Sequence, residues 1–310
     1  MNTILITGSS GFVGTNLYTA LHKDYLLTGL DITKQGAFPA EMVWGWDEIH
    51  RLPAQDAIIH LAGIAHDTAN SLHPEVYHQV NVGLTRTIFN HFLASSAKVF
   101  IYFSSVKAVA DAPGETPVTE DTLAMPATPY GQSKKAAEDY LLAKGVPEGK
   151  TLVILRPCMI HGPGNKGNLN LLYRMVAKGI PWPLGAFENQ RSYLALDNLL
   201  FFIRQILRRG IASGVYHLAD DETLSTRDLI ELMAASLNRK PRIWHLSPSL
   251  IKGLAKTGDF LPLPLNSERL KKLTESYLVS NQKVKTALGI TALPVSAEDG
   301  ITYTLKHFNA

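Results

Sequence analysis

Tyr130-Gly131-Gln132-Ser133-Lys134 sets a phenol and an ammonium four residues apart, just after Pro126 and Pro129. On a helix that spacing brings both to one face. A phenol with a pKa of about 10 is a poor base at neutral pH, and a neighbouring cation favours its phenolate. Tyr130 is therefore a candidate proton shuttle to a sugar hydroxyl or carbonyl, and Lys134 a candidate donor to a nicotinamide ribose. Phe103-Ser104-Ser105-Val106 ends an apolar run upstream. A serine at a strand end can hydrogen-bond a reacting oxygen and steady its charge. Ser105 is the expected catalytic hydroxyl, and Ser104 the expected cofactor or structural contact.

A second constellation lies at the start of the chain. Thr7-Gly8-Ser9-Ser10-Gly11-Phe12-Val13-Gly14 joins the run Ile4-Leu5-Ile6 to an amphipathic stretch. Gly8 permits a tight turn, Gly11 lets backbone amides approach a diphosphate at a positive helix end, and Gly14 lets helix and strand pack closely. The spacing is G-x-x-G-x-x-G rather than the usual dinucleotide G-x-G-x-x-G. Asp31, 17 residues beyond Gly14, can accept both adenosine ribose hydroxyls and would repel a 2′-phosphate, which favours NAD over NADP. Lys34 leaves NADP as the lesser possibility.

These residues need a scaffold. Apolar runs at Ile4–Ile6, Leu26–Asp31, Ala57–Leu61, Val99–Phe103 and Leu152–Leu155 alternate with helical stretches near 12–22, 74–95 and 129–144. Continuous apolar strands separated by helices predict a doubly wound parallel α/β sheet of Rossmann type. After His161-Gly162-Pro163-Gly164 the pattern shifts to helices near 168–178, 197–209 and 226–238 with a strand at Val215–Leu218. Prolines at 248, 262 and 264 mark 246–264 as mostly irregular or short-helical. The expected organisation is a dinucleotide-binding domain over 1–165 and a smaller α/β substrate domain over 166–310, some of whose segments return to the first.

Composition narrows the classes. Hydrophobic residues make up 45% and charged residues 18% of the chain, which excludes a disordered one. The net charge is +3 with scattered Lys and Arg, so no basic stripe argues for nucleic acid. One cysteine, Cys158, excludes an intrachain disulfide, fits a reducing compartment and makes a Cys/His metal cage unexpected. No run approaches the ~18 apolar residues of a membrane span, and the N-terminus lacks a basic leader pattern. The expectation is a cytoplasmic protein with no metal, nucleic-acid or membrane partner.

In order and spacing these motifs resemble the extended short-chain dehydrogenase/reductase family, in its nucleotide-sugar epimerase/dehydratase group. The resemblance also takes in Asp56-x-x-x-His60-Leu61-Ala62-Gly63, Asn81-Val82, Arg156-Pro157, Gly162-Pro163-Gly164 and Arg191-Ser192-Tyr193, and so spans nearly the whole chain. It implies NAD at Gly8, Ser10, Gly11, Phe12, Val13, Gly14, Asp31 and Ile32, with Leu61, Ala62, Gly63, Asn81, Ser104, Tyr130, Lys134 and Pro157 completing the cofactor site. It implies a UDP-linked sugar contacted by His66, Ser105, Lys107, Tyr130, Asn168, Leu169, Arg191 and Arg269, with Lys166 as an assisting cation. Arg191 matches an arginine that grips the substrate diphosphate, and Arg269 is a second candidate for that role.

The chain also departs from the family pattern. His161 replaces a tyrosine, Ser192 an aspartate, and Ala108-Val109-Ala110 a Val-Tyr-Gly. The Ser-Ser-Val-Lys run around Lys107 is similar to a subgroup in surface-polysaccharide sugar pathways. Val106 and Lys107 stand where 4,6-dehydratases carry an Asp-Glu pair, so dehydration is not expected. The reading is an NAD-dependent 4-epimerase of a UDP-hexose or UDP-N-acetylhexosamine acting through a 4-keto intermediate. The alternatives are an NAD(P)H-dependent 4-ketoreductase and a non-catalytic dinucleotide sensor, the latter disfavoured by the intact Ser105, Tyr130 and Lys134. Related enzymes dimerise through two helices per subunit, here near 74–95 and 129–144, with Ala136-Ala137 allowing close approach.

Overall fold

The computed structural model describes residues 2–64, 73–111, 114–165, 167–261 and 265–308. Strands β1 (Thr3–Thr7), β2 (Leu26–Leu30), β3 (Val43–Trp44), β4 (Ala57–His60) and β5 (Val99–Phe103) alternate with helices α1 (Phe12–Leu21) and α2 (Pro74–Ala94). There follow β6 (Gly114–Val118), α3 (Pro129–Lys144), β7 (Thr151–Pro157), β8 (Met159–His161), α4 (Asn168–Ala177), β9 (Arg191–Ala195), α5 (Leu196–Arg209) and β10 (Gly214–Leu218). The chain continues through β11 (Thr223–Leu224), α6 (Thr226–Ser236), α7 (Pro248–Gly258), α8 (Ser267–Thr274), β12 (Tyr277–Val279), α9 (Gln282–Leu288) and α10 (Ala297–Leu305).

Seven strands form one parallel sheet in the order β10-β7-β5-β4-β1-β2-β3. Both faces are covered, which is why Ile4, Leu5, Ile58, Ile59, Phe100 and Ile101 are all buried with no polar alternation. Leu17 and Leu21 of α1 and Phe202, Ile203 and Ile206 of α5 close one face. Val82, Ile88, Phe89 and Phe92 of α2 and Ala137 and Leu141 of α3 close the other. The strand order reverses between β1 and β4. In an open α/β sheet, the crevice beyond the carboxyl ends at that point is where ligands bind.

A second, mixed sheet runs β11-β9-β12-β6, with β8 pairing β9. It packs with α4, α6, α7 and α10 around Leu169, Tyr173, Trp182, Met233 and Ile301. Segments cross the residue-165 boundary in both directions: β10 and α5 join the first sheet and its core from the second half, and β6 joins the second sheet from the first half. Between 246 and 264 the expected short-helical character takes the form of α7 over 248–258. Pro248 does not break a helix but starts α7 at its first position, where a missing N–H costs nothing. Ile251, Ala255 and Gly258 then bury one face of that helix.

Among the described residues no helix is long and apolar enough to cross a membrane. No cluster of three or more His, Cys, Asp or Glu among them could hold a metal ion.

Candidate active site

The glycine turn lies at the strand-order reversal. Gly8 adopts φ 69° and donates its N–H to Leu30 O at 2.9 Å, which ties the turn to β2. A Cβ there would stand 2.8 Å from Ala62 N, so the exit of β4 presses directly on the turn. Gly11 caps α1 in extended conformation without a side-chain cap. The first-turn amides at Phe12, Val13 and Gly14 therefore form an uncapped positive helix end. Asp31 anchors the turn: Oδ2 accepts Ser10 N at 2.8 Å and Oδ1 accepts Ile32 N at 2.7 Å. Each carboxylate oxygen keeps a lone pair for a hydroxyl. Ser10 Oγ donates to Thr33 O, and Ile32 stands open to solvent at 89% exposure. This open helix end and carboxylate fit the diphosphate and adenosine ribose of NAD.

The exit of β4 is held by a buried relay. Ala62 N donates to Thr7 Oγ1 at 3.2 Å, Thr7 Oγ1 meets His60 Nδ1 at 2.6 Å, and His60 Nε2 meets Thr85 Oγ1 at 3.0 Å. Thr85 spends its proton on Asn81 O at 2.6 Å. His60 must therefore donate from Nε2 and, being neutral, accept Thr7 at Nδ1. Burial first, and the Lys134 charge second, hold His60 down to about 3. Asn81 is also buried. Its Oδ1 accepts Ile64 N at 2.7 Å and its Nδ2 donates to Ser133 Oγ at 2.8 Å, so it laces the β4 exit to α3.

Helix α3 carries the phenol and the ammonium. Thr128 caps it, accepting Gly131 N and donating to Asp111 Oδ1 at 2.9 Å, and Pro129 begins it. A Cβ on Gly131 would fall 2.4 Å from Lys107 O. Only glycine lets the short 3-10 turn Val106–Ala108 lie this close, and that turn is capped by Ser105. The Ser105 hydroxyl lies close enough to the Tyr130 phenol to favour its phenolate. The Tyr77 ring meets Tyr130 edge-on at 6.5 Å. Lys134 is buried, with Nζ donating to Phe103 O at 3.0 Å and lying 5.1 Å from the Tyr102 ring centre. A Cβ on Gly63 would stand 3.5 Å from Lys134 Nζ, so the β4 exit and the lysine meet. Burial lowers Lys134 to about 8, opposed by Glu138. Burial raises Tyr130 above its ordinary value, with the Ser105 hydroxyl pulling the other way. The lowering influence at Tyr130 is the Ser105 hydroxyl rather than the Lys134 ammonium expected from the spacing, and desolvation outweighs it. Pro157 ends β7, and the Cys158 thiol beside it is pushed well up by burial, which makes it inert.

The candidates on the substrate side are more dispersed. Lys107 is held rather than solvated: Nζ donates to Asp111 O at 2.8 Å and sits 4.7 Å over the Tyr277 ring. Arg191 opens β9, donating Nε to Glu275 O at 3.1 Å and Nη2 to Lys272 O at the end of α8. Burial first, and then the Arg191 and Lys272 charges, lower Lys107 against the pull of Asp111. Arg269 lies on the first turn of the same helix. A cavity of about 470 Å³ is lined by Phe187, Asn189, Gln190, which precedes Arg191 in the chain, Ser225, Arg227 and Ser276 among others. Leu169 is 2% exposed in the second core, so its side chain packs rather than contacts a ligand. His66, Lys166 and the Asn168 side chain lie outside the described residues. His161 is buried, with Nδ1 on Thr304 Oγ1 at 2.9 Å.

Sequence reasoning missed Asp111, which fixes both Lys107 and the α3 cap, and the buried pair Glu138–Arg156. Glu138 was within reach: it extends Tyr-x-x-x-Lys by four more residues on the same helix face.

Comparison with known proteins agrees with this geometry. Residues 4–219 match the model of the NAD dependent epimerase/dehydratase family. A UDP-glucose 4-epimerase of Vibrio cholerae is 32% identical over 99% of this chain and 95% of its own length. An N-acetyl-α-D-glucosaminyl-diphospho-ditrans,octacis-undecaprenol 4-epimerase of Escherichia coli O157:H7 is 30% identical over 99% of this chain and 95% of its own. The Bordetella bronchiseptica enzyme WbmG, solved in complex with NAD, superimposes with a TM-score of 0.77 at 19% identity, covering 98% of this chain and 93% of its own. With the family model over more than two thirds of its length and relatives matched end to end, this chain belongs to the NAD dependent epimerase/dehydratase family.

Proposed function

We propose that the chain interconverts the C4 epimers of a UDP-hexose or UDP-N-acetylhexosamine. The observation that carries this reading is the convergence of Ser105, Tyr130, Lys134 and the β4 exit at the carboxyl edge of the first sheet. The two named relatives support it. One acts on a nucleotide-linked and the other on a lipid-linked sugar, and both names describe inversion at C4 of a hexose carried on a diphosphate. Bound NAD supplies a hydride acceptor that can return the hydride. Tyr130 removes the 4-hydroxyl proton as the hydride leaves and gives it back after the 4-keto sugar has turned over. Ser105 donates to the same oxygen. Lys134 would hold the nicotinamide ribose and, while charged, would stabilise the Tyr130 phenolate.

Arg191, aided by Lys107 and Arg269, takes the diphosphate, where a guanidinium fork suits phosphate oxygens. The nucleoside lies toward the cavity lined in part by Gln190. In this division residues 1–165 mainly hold the cofactor and residues 166–310 mainly the sugar nucleotide, in a cytoplasmic enzyme serving surface-polysaccharide synthesis. The dimer pairs α2 and α3 of each subunit. Ala137 is fully buried within its own subunit and so takes no part in that contact, while Ala136 is only partly buried.

The test is made on the purified protein. Nucleotide released by denaturation is identified by mass. The native protein is incubated with UDP-glucose, UDP-N-acetylglucosamine and their C4 epimers without added cofactor. Stoichiometric NAD and interconversion of one pair are expected. An empty site, with NADH or NADPH oxidised only by a 4-keto-6-deoxy sugar, would make the chain a ketoreductase instead.

A further inference from the structure

The face of α3 that carries Tyr130 and Lys134 continues one turn to Glu138, whose side chain is fully buried. Arg156 at the end of β7 grips it twice, Nε to Oε1 at 2.9 Å and Nη2 to Oε2 at 2.6 Å. Oε1 also accepts the hydroxyl of Ser104. Arg156 Nη1 reaches His217 Nε2 on β10 at 3.4 Å, and His217 Nδ1 reaches Val118 O on β6 at 3.3 Å. Burial and the Arg156 charge hold His217 neutral, at about 4, so it accepts at Nε2 and donates from Nδ1. One buried polar chain therefore runs from the helix of the phenol and ammonium, through β5, β7 and β10, to the edge of the second sheet.

We propose that Glu138 is a positioning residue of the active site: bonded to Ser104 beside the catalytic hydroxyl, and one helical turn from Lys134, it fixes the Ser105 strand end and the ammonium in one geometry. The inference rests on the Ser105–Tyr130–Lys134 reading above and extends it. Stability alone does not call for such a pair, because desolvating two charges offsets much of their attraction, and apolar replacements of similar volume often serve as well. Its location is what tells. The titratable groups facing Lys134 are Glu138 on its own helix, Tyr102 on β5 and His60 on β4, with Tyr130 one turn away on the same helix. His60 is neutral, and the phenols are uncharged at neutral pH. Glu138 is thus the anion that opposes the desolvation of Lys134 and keeps it an ammonium.

Glu138→Gln removes the charge and preserves the shape. Its kcat is expected to fall about tenfold, with KM for the sugar nucleotide within about twofold of the parent. Removing an anion lowers the Lys134 pKa, so the alkaline limb of the kcat–pH profile moves to lower pH, by about one unit. The same displacement is expected in a ¹⁵N NMR titration of Lys134 Nζ in the purified enzyme without substrate. That readout stands whether or not C4 epimerisation is the reaction, so the two readings fail separately. If Glu138→Gln does not fold, Glu138→Leu combined with Arg156→Met removes both members of the buried pair together and takes its place. A folded variant whose Lys134 titration stays at the parent pH overturns the proposal, whatever its kcat.

Discussion

The dinucleotide turn and the catalytic helix sit at the same edge of one sheet but are built in different ways. The turn is made of backbone: three glycines, an uncapped helix end and one strand-end carboxylate 17 residues beyond the last glycine. The catalytic helix is held by side chains from α2, the end of β5, and β7 and by Asp111, reached across up to 52 residues of sequence. Backbone sites depend on where side chains are absent, and side-chain sites depend on which groups meet. The first should fail through added atoms, and the second through removed ones.

The largest expected effect is at the helix. Tyr130→Phe removes the proton shuttle and should lower kcat by about 10²–10⁴-fold while leaving NAD binding and the melting temperature near the parent. Comparable loss of bound NAD would instead place Tyr130 with the turn. The buried histidines come next. His60 and His217 titrate at about 3 and about 4 when folded, against an unfolded value of about 6.5. The unfolded chain binds more protons between those values, so their contribution is full above pH ~6.5 and is lost as pH falls toward 4. Each histidine adds up to about 1.4 kcal/mol per pH unit to the slope. Urea unfolding at pH 7, 6, 5 and 4 measures it, and a flat profile would show that neither imidazole is held neutral.

A smaller effect is expected at the turn. A Cβ at residue 14 would stand 2.4 Å from Gly8 O, so Gly14→Ala should cost about 1–3 kcal/mol and release NAD before it changes the pH profile. The smallest lies on the second sheet. Arg191→Ala should raise KM about tenfold with kcat little changed, since a diphosphate grip acts on ground and transition state alike. A fall in kcat without a rise in KM would move Arg191 into the catalytic group.

Much of the first sheet was legible because its code is local. Strands β1, β2, β4, β5 and β7 are continuous apolar runs, and a run buried on both faces needs no partner to be recognised. The same holds for the glycine turn and for Tyr130 with Lys134, whose spacings map directly onto a turn and a helix face. The second sheet was not legible. Strands β9, β11 and β12 have two to five residues each, and β6 is borrowed from the first half of the chain. Strands that short take their structure from partners, and nothing local to Gly114–Val118 names Tyr277 as its neighbour.

By itself the sequence determined the fold class and, through its resemblance to known motifs, the family and the cofactor, and it singled out a phenol, an ammonium and a hydroxyl as candidates. The glycine-turn and helix-face spacings among these residues are short enough for backbone geometry to interpret. Only the tertiary structure decided that Lys107 is tethered to Asp111 and Tyr277, that Leu169 is core, and that Glu138 lies bonded between Arg156 and Ser104. It also decided the charge states, raising the Tyr130 phenol by burial and neutralising His60. Desolvation is a property of everything packed around a group, and that packing exists only once distant segments have come together.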